Sequence, residues 1–215
     1  MQILEKYKQY GFCGIISRLY KRVFRIFGIR YEQYMIMACP LSLTTCHPLY
    51  IDLNKYLVRE LSFADFEKAD SREFSKQKLQ IIFDRFNKPG FYAYGVFLGD
   101  DLIYSCWLST KSFEMSESYL NGPLDDKFVL FLDDYCMPEY RGRGIHSYMN
   151  SFRLLKAKEL GKKVALVIIL KENLPAFKSQ KKAGFHVLFD FYTLSFGKKH
   201  LSSLEQKLTK FGAIH

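Results

Sequence analysis

Two apolar runs, residues 128–132 (FVLFL) and 164–170 (VALVIIL), bracket a segment that begins with a glycine turn, Cys136-Met137-Pro138-Glu139-Tyr140-Arg141-Gly142-Arg143-Gly144-Ile145-His146. After the turn, Ile145, Met149, Phe152, Leu155 and Ala157 recur at roughly helical spacing. A second helix is expected after the second run, ending near Ala183-Gly184-Phe185. The order is therefore strand, glycine turn, helix, strand, helix. Strands joined through a helix run parallel with a right-handed crossover, which leaves few topologies open to the middle of this chain.

The turn is suited to an anionic ligand. Backbone N–H groups at a helix N-terminus, with the positive end of the helix dipole, favour phosphate oxygens, and glycine allows close approach to the main chain. Arg141 and Arg143 add full positive charge. A G-x-G pair by itself also occurs in plain loops. It is not a dinucleotide fingerprint, because the third glycine's place is Ser147, and no Gly-Lys-Ser/Thr follows to make a Walker loop.

The residues downstream narrow the choice. Glu139-Tyr140-Arg141-Gly142-Arg143-Gly144 resembles the Q/R-x-x-G-x-G/A motif of the GNAT acyltransferase superfamily, with Glu139 in the Gln/Arg place. Asn173, Ala176, Lys182, Gly184 and Phe185 resemble its second motif, N-x-x-A-x-x-x-Y-x-K-x-G-F. The resemblance spans about residues 56–196 and is strongest over 128–185. It implies a mixed α/β domain with a central twisted mixed sheet and helices on both faces. It also implies that the cofactor arm inserts between the strand before the glycine turn and the strand at Val164–Leu170. The motif's tyrosine place is Gln180, which can donate a hydrogen bond but cannot act as a proton-transferring acid at ordinary pH.

Carried over residue by residue, the resemblance assigns cofactor binding to Tyr135, Cys136, Met137, Arg141, Gly142, Arg143, Gly144, Ile145, His146 and Asn173. Backbone N–H groups around Tyr135, Cys136 and Met137 would face the pantetheine arm and acetyl group, and residues 141–146 would hold the pyrophosphate. Asn173 would bond the arm, cap its helix ahead of Pro175, or do both. His146 is placed at the pyrophosphate end, where it would contact phosphate or cap the turn. Asp133 and Asp134 are the catalytic candidates. Adjacent strand residues face opposite ways, so only one can look into an acceptor pocket, and the family's frequent acidic residue three places before Cys136 favours Asp133. An aspartate of pKa near 4 deprotonates an ammonium poorly unless its environment raises that value or a water relays the proton.

Composition agrees with this reading. At 215 residues and 48% hydrophobic, the chain can bury one core of about 150 residues plus an extension. Cys13, Cys39, Cys46, Cys106 and Cys136 are odd in number, without a C-x-x-C pair, and indicate neither a disulfide framework nor structural zinc. No histidine has metal-ligand spacing with another, and no metal is implied. The net charge of +10 is spread over several segments without a nucleic-acid-binding motif, so an anionic small ligand is expected rather than nucleic acid.

Three regions follow: a basic amphipathic N-terminal extension at 1–50, an acetyltransferase-like domain at 51–197, and a basic C-terminal tail at 198–215. In the first, Ile15, Ile16, Leu19, Val23, Ile26 and Phe27 fall near one side of a helix otherwise populated by Arg18, Lys21, Arg22 and Arg25. Such a helix packs on the domain, on a second subunit as a homodimer contact, or in a membrane interface. Lys and Arg interrupt any signal-peptide core, and no run approaches the roughly 18 apolar residues needed to span a bilayer. In the second region a strand at 56–60, a Ser62-capped helix, a helix at about 74–86 and a hairpin at 91–98 and 102–108 are expected, followed by a polar loop at 109–126. The tail folds back as a helix or frays.

The function implied is transfer of acetyl from acetyl-CoA, or another acyl-CoA, to a primary amine of a small molecule by direct attack in a ternary complex. The acceptor type would be an amino sugar, amino acid or polyamine, in the cytoplasm or at a membrane periphery. The alternatives are an envelope- or membrane-associated acyl or aminoacyltransferase, marked by the basic amphipathic start, and a non-catalytic acyl-CoA-binding relative, marked by Gln180.

Overall fold

The computed structural model describes residues 21–42, 51–115, 121–196 and 199–214. Two compact units emerge. One comprises residues 40–112 and 126–165, the other residues 1–39, 113–125 and 166–215.

In the first unit, strands β2 (Leu57–Glu60), β3 (Phe91–Leu98), β4 (Asp101–Ser109) and β7 (Phe128–Cys136) pair antiparallel in the order β2-β3-β4-β7. The expected hairpin is present and turns through Gly99 and Asp100. Helix α1 (Phe63–Glu67) starts at Ser62, whose backbone N–H and hydroxyl both donate to Asp65 at 2.7 and 2.9 Å. Helix α2 (Lys76–Phe86) is capped by Ser75, whose hydroxyl accepts from the Lys78 N–H. Both helices supply apolar side chains to one face of the strands, where Phe66, Phe74 and Ile82 pack with Phe97, Leu102 and Trp107. Stacking of Phe66 on Trp107, with centroids 5.6 Å apart, anchors that layer. Gly95 permits it, because a Cβ there would lie 2.6 Å from Leu102 Cδ1 and 2.7 Å from Leu61 Cδ2.

Helix α3 (Ile145–Glu159) serves the opposite face, with Phe152 edge-on to Tyr94 of β3 at 5.2 Å. Its buried stripe differs from the expected one. Leu155 is exposed, and the stripe runs Ile145, Met149, Arg153, Ala157, with Asn150 and Leu154 beside it. Positions four apart share a helix face, so an arginine occupies a core position.

In the second unit, β1 (Ile29–Pro40) pairs antiparallel with β9 (His186–Phe196), which pairs with β10 (Lys199–Ser202), while β8 (Val164–Leu170) lies on the other side of β1. Residues 29–40, read from sequence as part of the extension, thus form a long strand, with Tyr34 stacked on Phe191 at 5.2 Å. Helix α4 (Leu174–Lys182) follows β8 as expected. The polar loop expected at 109–126 carries two short paired strands, β5 (Ser112–Glu114) and β6 (Asn121–Pro123). The tail forms β10 and helix α5 (Leu204–Phe211), which buries Leu204 and Leu208 completely. Of the N-terminal amphipathic helix, residues 21–26 are helical, and Ile15, Ile16, Arg18 and Leu19 lie outside the described residues, as do Cys13 and Cys46.

Candidate functional site

The site is built where β7 ends and α3 begins. In the β4–β7 register Trp107 pairs with Leu132 and Ser105 with Tyr135, so Cys106 faces two residues, Asp133 and Asp134. This is a β-bulge. Asp133 carries the extra residue's strain, with φ of 44°, the one non-glycine positive φ among the described residues.

The bulge sends the two carboxylates to opposite faces, each to a buried arginine. Asp133 accepts from Arg85 of α2 at 2.5 Å; Arg85 is 3% exposed and lies over the Trp107 ring. Asp134 is held bidentately by Arg153 of α3, at 2.6 Å from Nη1 and 2.9 Å from Nη2. Arg153 Nη2 also donates to Asn150 at 2.6 Å, and its guanidinium lies 4.4 Å from the Phe131 ring centroid. Bidentate, desolvated pairs of this kind fix orientation more firmly than point contacts. Burial would favour a neutral Arg153, but Asp134 outweighs it and holds the guanidinium charged.

The half-buried His146 side chain joins this network. Its Nδ1 lies 2.9 Å from the Tyr104 hydroxyl and 3.7 Å from Asp134, and its Nε2 lies 3.3 Å from Asn150 Nδ2. Burial lowers its pKa below the ordinary 6.5, with Asp134 opposing and Arg153 assisting. Its backbone N–H, at the first turn of α3, remains directed out of the helix end. Burial also drives the Tyr104 hydroxyl well above its ordinary pKa.

The turn itself has the geometry expected of an anion cradle. Pro138–Tyr140 form one 3₁₀ turn, and Gly142 and Gly144 follow with φ of 77° and 80°, left-handed values that suit glycine. A Cβ at either would meet nothing within 4 Å, so the backbone is open to approach. Among the described residues no backbone carbonyl takes the N–H of Gly142, Arg143, Gly144, Ile145, His146 or Ser147. Arg141 Nε bonds the Cys136 carbonyl and Arg143 Nη2 the Glu139 carbonyl, both at 3.1 Å, while both side chains stay exposed. Ile145 is buried and anchors the turn. Residues 141–147 therefore present donors and positive charge with little competing acceptor.

On β7, Tyr135 turns its ring toward Phe74, edge-on at 5.4 Å, and its hydroxyl donates to Asp70 at 3.3 Å. The Met137 N–H donates to the Ile103 carbonyl, so it is not a spare donor for an acyl oxygen. Cys136 is half-buried, and burial raises its thiol pKa although Arg141 pulls it down. Asn173 belongs to the other unit, where its side chain accepts from the Ala176 N–H at 3.3 Å as the N-cap of α4. Gln180, on the same helix, is 2% exposed.

No family model matches the sequence, and no curated protein matches it. Solved structures do. A Drosophila protein superposes with a TM-score of 0.55 over 88% of this chain and 58% of its own, at 15% identity. A Novosphingobium aromaticivorans protein described as a GNAT-family acetyltransferase gives 0.51 over 77% and 65%, at 13% identity. The glucosamine N-acetyltransferase region of a fungal multi-domain beta-N-acetylglucosaminidase gives 0.53 over 86% of this chain and 23% of that one, at 15% identity. The chain has the GNAT fold. It spans 58% and 65% of the first two of these proteins, and identities this low establish architecture rather than reaction.

Within the GNAT fold, the glycine turn and the strand before it are where the sequence placed them, while the bulge in that strand was not expected. Sequence reasoning missed Arg85, Tyr104, Asn150 and Arg153. A signal existed for two: Arg153 stands four residues after Met149, and Arg85 three after Ile82, each on its helix's buried side.

Proposed function

We propose that this chain is an N-acetyltransferase that moves the acetyl group of acetyl-CoA to a primary amine of a small molecule, by direct attack in a ternary complex. The observation that carries the reading is the exposed turn at residues 141–147, with two left-handed glycines, open space above them and unclaimed N–H groups at the start of α3. Gly142, Arg143, Gly144 and the backbone of Ile145 and His146 would hold the pyrophosphate, with Arg141 and Arg143 screening its charge. When bound, acetyl-CoA supplies an activated thioester. Tyr135 and Cys136 would line its arm along β7.

The two aspartates are better suited to positioning than to proton abstraction. Each is committed by short hydrogen bonds to a buried arginine, which fixes its orientation and occupies its oxygens. Asp133 retains 36% side-chain exposure, enough to attract a cationic amine while Arg85 holds its orientation. The bound ammonium would first lose a proton to water; the neutral nitrogen would then form the C–N bond as the C–S bond breaks, its second proton passing to water and the thiolate leaving with coenzyme A. No acid is required of the chain, because a thiol of pKa about 8.5 is a tolerable leaving group near neutral pH.

Calorimetric titration of coenzyme A into the wild type, Gly142→Glu and Gly144→Glu tests the turn. Binding is expected in the first and loss of at least tenfold in both variants, and retention in both sinks the assignment. Thiol release from acetyl-CoA across a panel of primary amines tests the reaction. Tight binding without turnover would favour a non-catalytic relative, for which the buried Gln180 is the supporting observation.

A further inference from the structure

Residues 21–31 read Lys-Arg-Val-Phe-Arg-Ile-Phe-Gly-Ile-Arg-Tyr, with four cations and no acid. Lys21 turns inward and pairs with Glu32 at 2.6 Å and Glu172 at 3.3 Å, which fixes this segment to the unit that contains β1 and β8. The outward side is left with large apolar groups: Val23 is 51% exposed, Ile26 79% and Phe27 68%. Gly28 then turns the chain, at φ of 72°, into β1, whose first residue, Ile29, pairs with Phe196. Phe196 is itself 61% exposed. One tip of this unit therefore gathers Val23, Ile26, Phe27 and Phe196, with Arg22, Arg25 and Arg30 exposed around them. Arg25 keeps 56% side-chain exposure while donating to Glu32.

We infer that this tip is a docking surface for an anionic lipid bilayer, independent of the reaction proposed above. Isolated exposed apolar residues are ordinary, but a cluster of four ringed by cations matches the chemistry of a bilayer interface, with acyl chains below and anionic headgroups around. No helix among the described residues is long and apolar enough to cross a membrane. A second copy is a poorer occupant. A two-fold interface uses the same patch on both partners, which would set Arg22 and Arg30 of one copy beside those of the other, while the adjoining acid, Glu32, is already taken by Lys21 and Arg25.

The test is co-sedimentation of the full chain with sucrose-loaded vesicles of pure phosphatidylcholine and of phosphatidylcholine with 30% phosphatidylglycerol. Binding is expected to the anionic vesicles, weak to the neutral ones, and reduced at 500 mM salt. Arg22→Gln and Arg30→Gln should each weaken it about fivefold, and Ile26→Ser with Phe27→Ser by at least about tenfold. All these side chains are exposed, so circular dichroism and melting temperature should be unchanged. Absence of binding to anionic vesicles, or binding unchanged in the Ile26→Ser/Phe27→Ser variant, overturns the proposal. So does a wild-type dimer in sedimentation velocity that the same double variant converts to monomer, which would make the tip a self-association surface.

Discussion

Arg153→Met should be among the most damaging single changes outside the apolar core. Arg153 is fully buried, gives two hydrogen bonds to Asp134 and one to Asn150, and its guanidinium covers the Phe131 ring. Methionine fills much of the volume but removes the charge, leaving the Asp134 carboxylate, 22% exposed, without its main partner and the Asn150 amide oxygen with an acceptor site vacated. Removing one member of a buried ion pair costs about 3–5 kcal/mol, because the remaining charge is desolvated and uncompensated. That is a large share of a typical total of roughly 5–15 kcal/mol. With a urea dependence of about 2–3 kcal/mol per molar, the unfolding midpoint should drop by roughly 1–2 M. The pair by contrast is not expected to be worth that much over an apolar replacement. Arg153→Met combined with Asp134→Leu should recover at least about half of the loss. Equilibrium urea unfolding followed by tryptophan fluorescence reads all states, since Trp107 lies in the same unit. If Arg153→Met does not fold, Asp134→Asn keeps the hydrogen-bonding shape, removes the opposite charge and still reports on the pair. A loss below about 1 kcal/mol in either single variant, or a double variant no better than Arg153→Met, would refute the reasoning.

Other outcomes follow from particular contacts. His146 has a folded pKa below the ordinary 6.5, so the unfolded chain binds more protons there. Its contribution is complete above about pH 6.5 and is lost as pH falls through the folded pKa. The unfolding midpoint should therefore decline below pH 6.5, and more steeply in the wild type than in His146→Gln. Gly95→Ala should cost about 1–3 kcal/mol by overpacking against Leu61 and Leu102, and Gly142→Ala about 1–2 kcal/mol from backbone strain alone, both read by thermal unfolding. Cys39 and Cys106 are buried and burial raises the Cys136 pKa, so alkylation at these three positions by iodoacetamide at pH 7.4 should be slower than for a free cysteine, as read by peptide mass spectrometry.

Much of this architecture is legible in the chain because local signals agree with global ones. The run at Val164–Leu170, the helix start at Ser62 and the hairpin around Gly99 appear where periodicity and turn chemistry put them. The glycine turn was also legible, since Gly142 and Gly144 are the residue type that left-handed backbone calls for. What escaped depends on long-range pairing. Residues 29–40 are a strand because β9 supplies a partner far away in sequence, and the C-terminal tail is ordered because Leu204 and Leu208 find a core. Such partners leave no local trace.

The polar site was the least legible part. Asp133 and Asp134 stand out as a carboxylate pair at a strand end, and the simple alternation of a strand predicts that they face apart. They do, yet through a bulge in which Leu132 and Asp133, rather than the two aspartates, turn toward the α2 side. The sequence by itself determined a strand, glycine turn and helix able to hold a phosphate, because glycine content and hydrophobic period are local properties. Only the tertiary structure decided that Arg85 and Arg153 approach from different helices to hold the aspartates, and that the His146 ring meets Tyr104 and Asn150. The energy of a buried charge depends on which opposite charge the fold brings within hydrogen-bonding distance, and neighbours in sequence do not specify that.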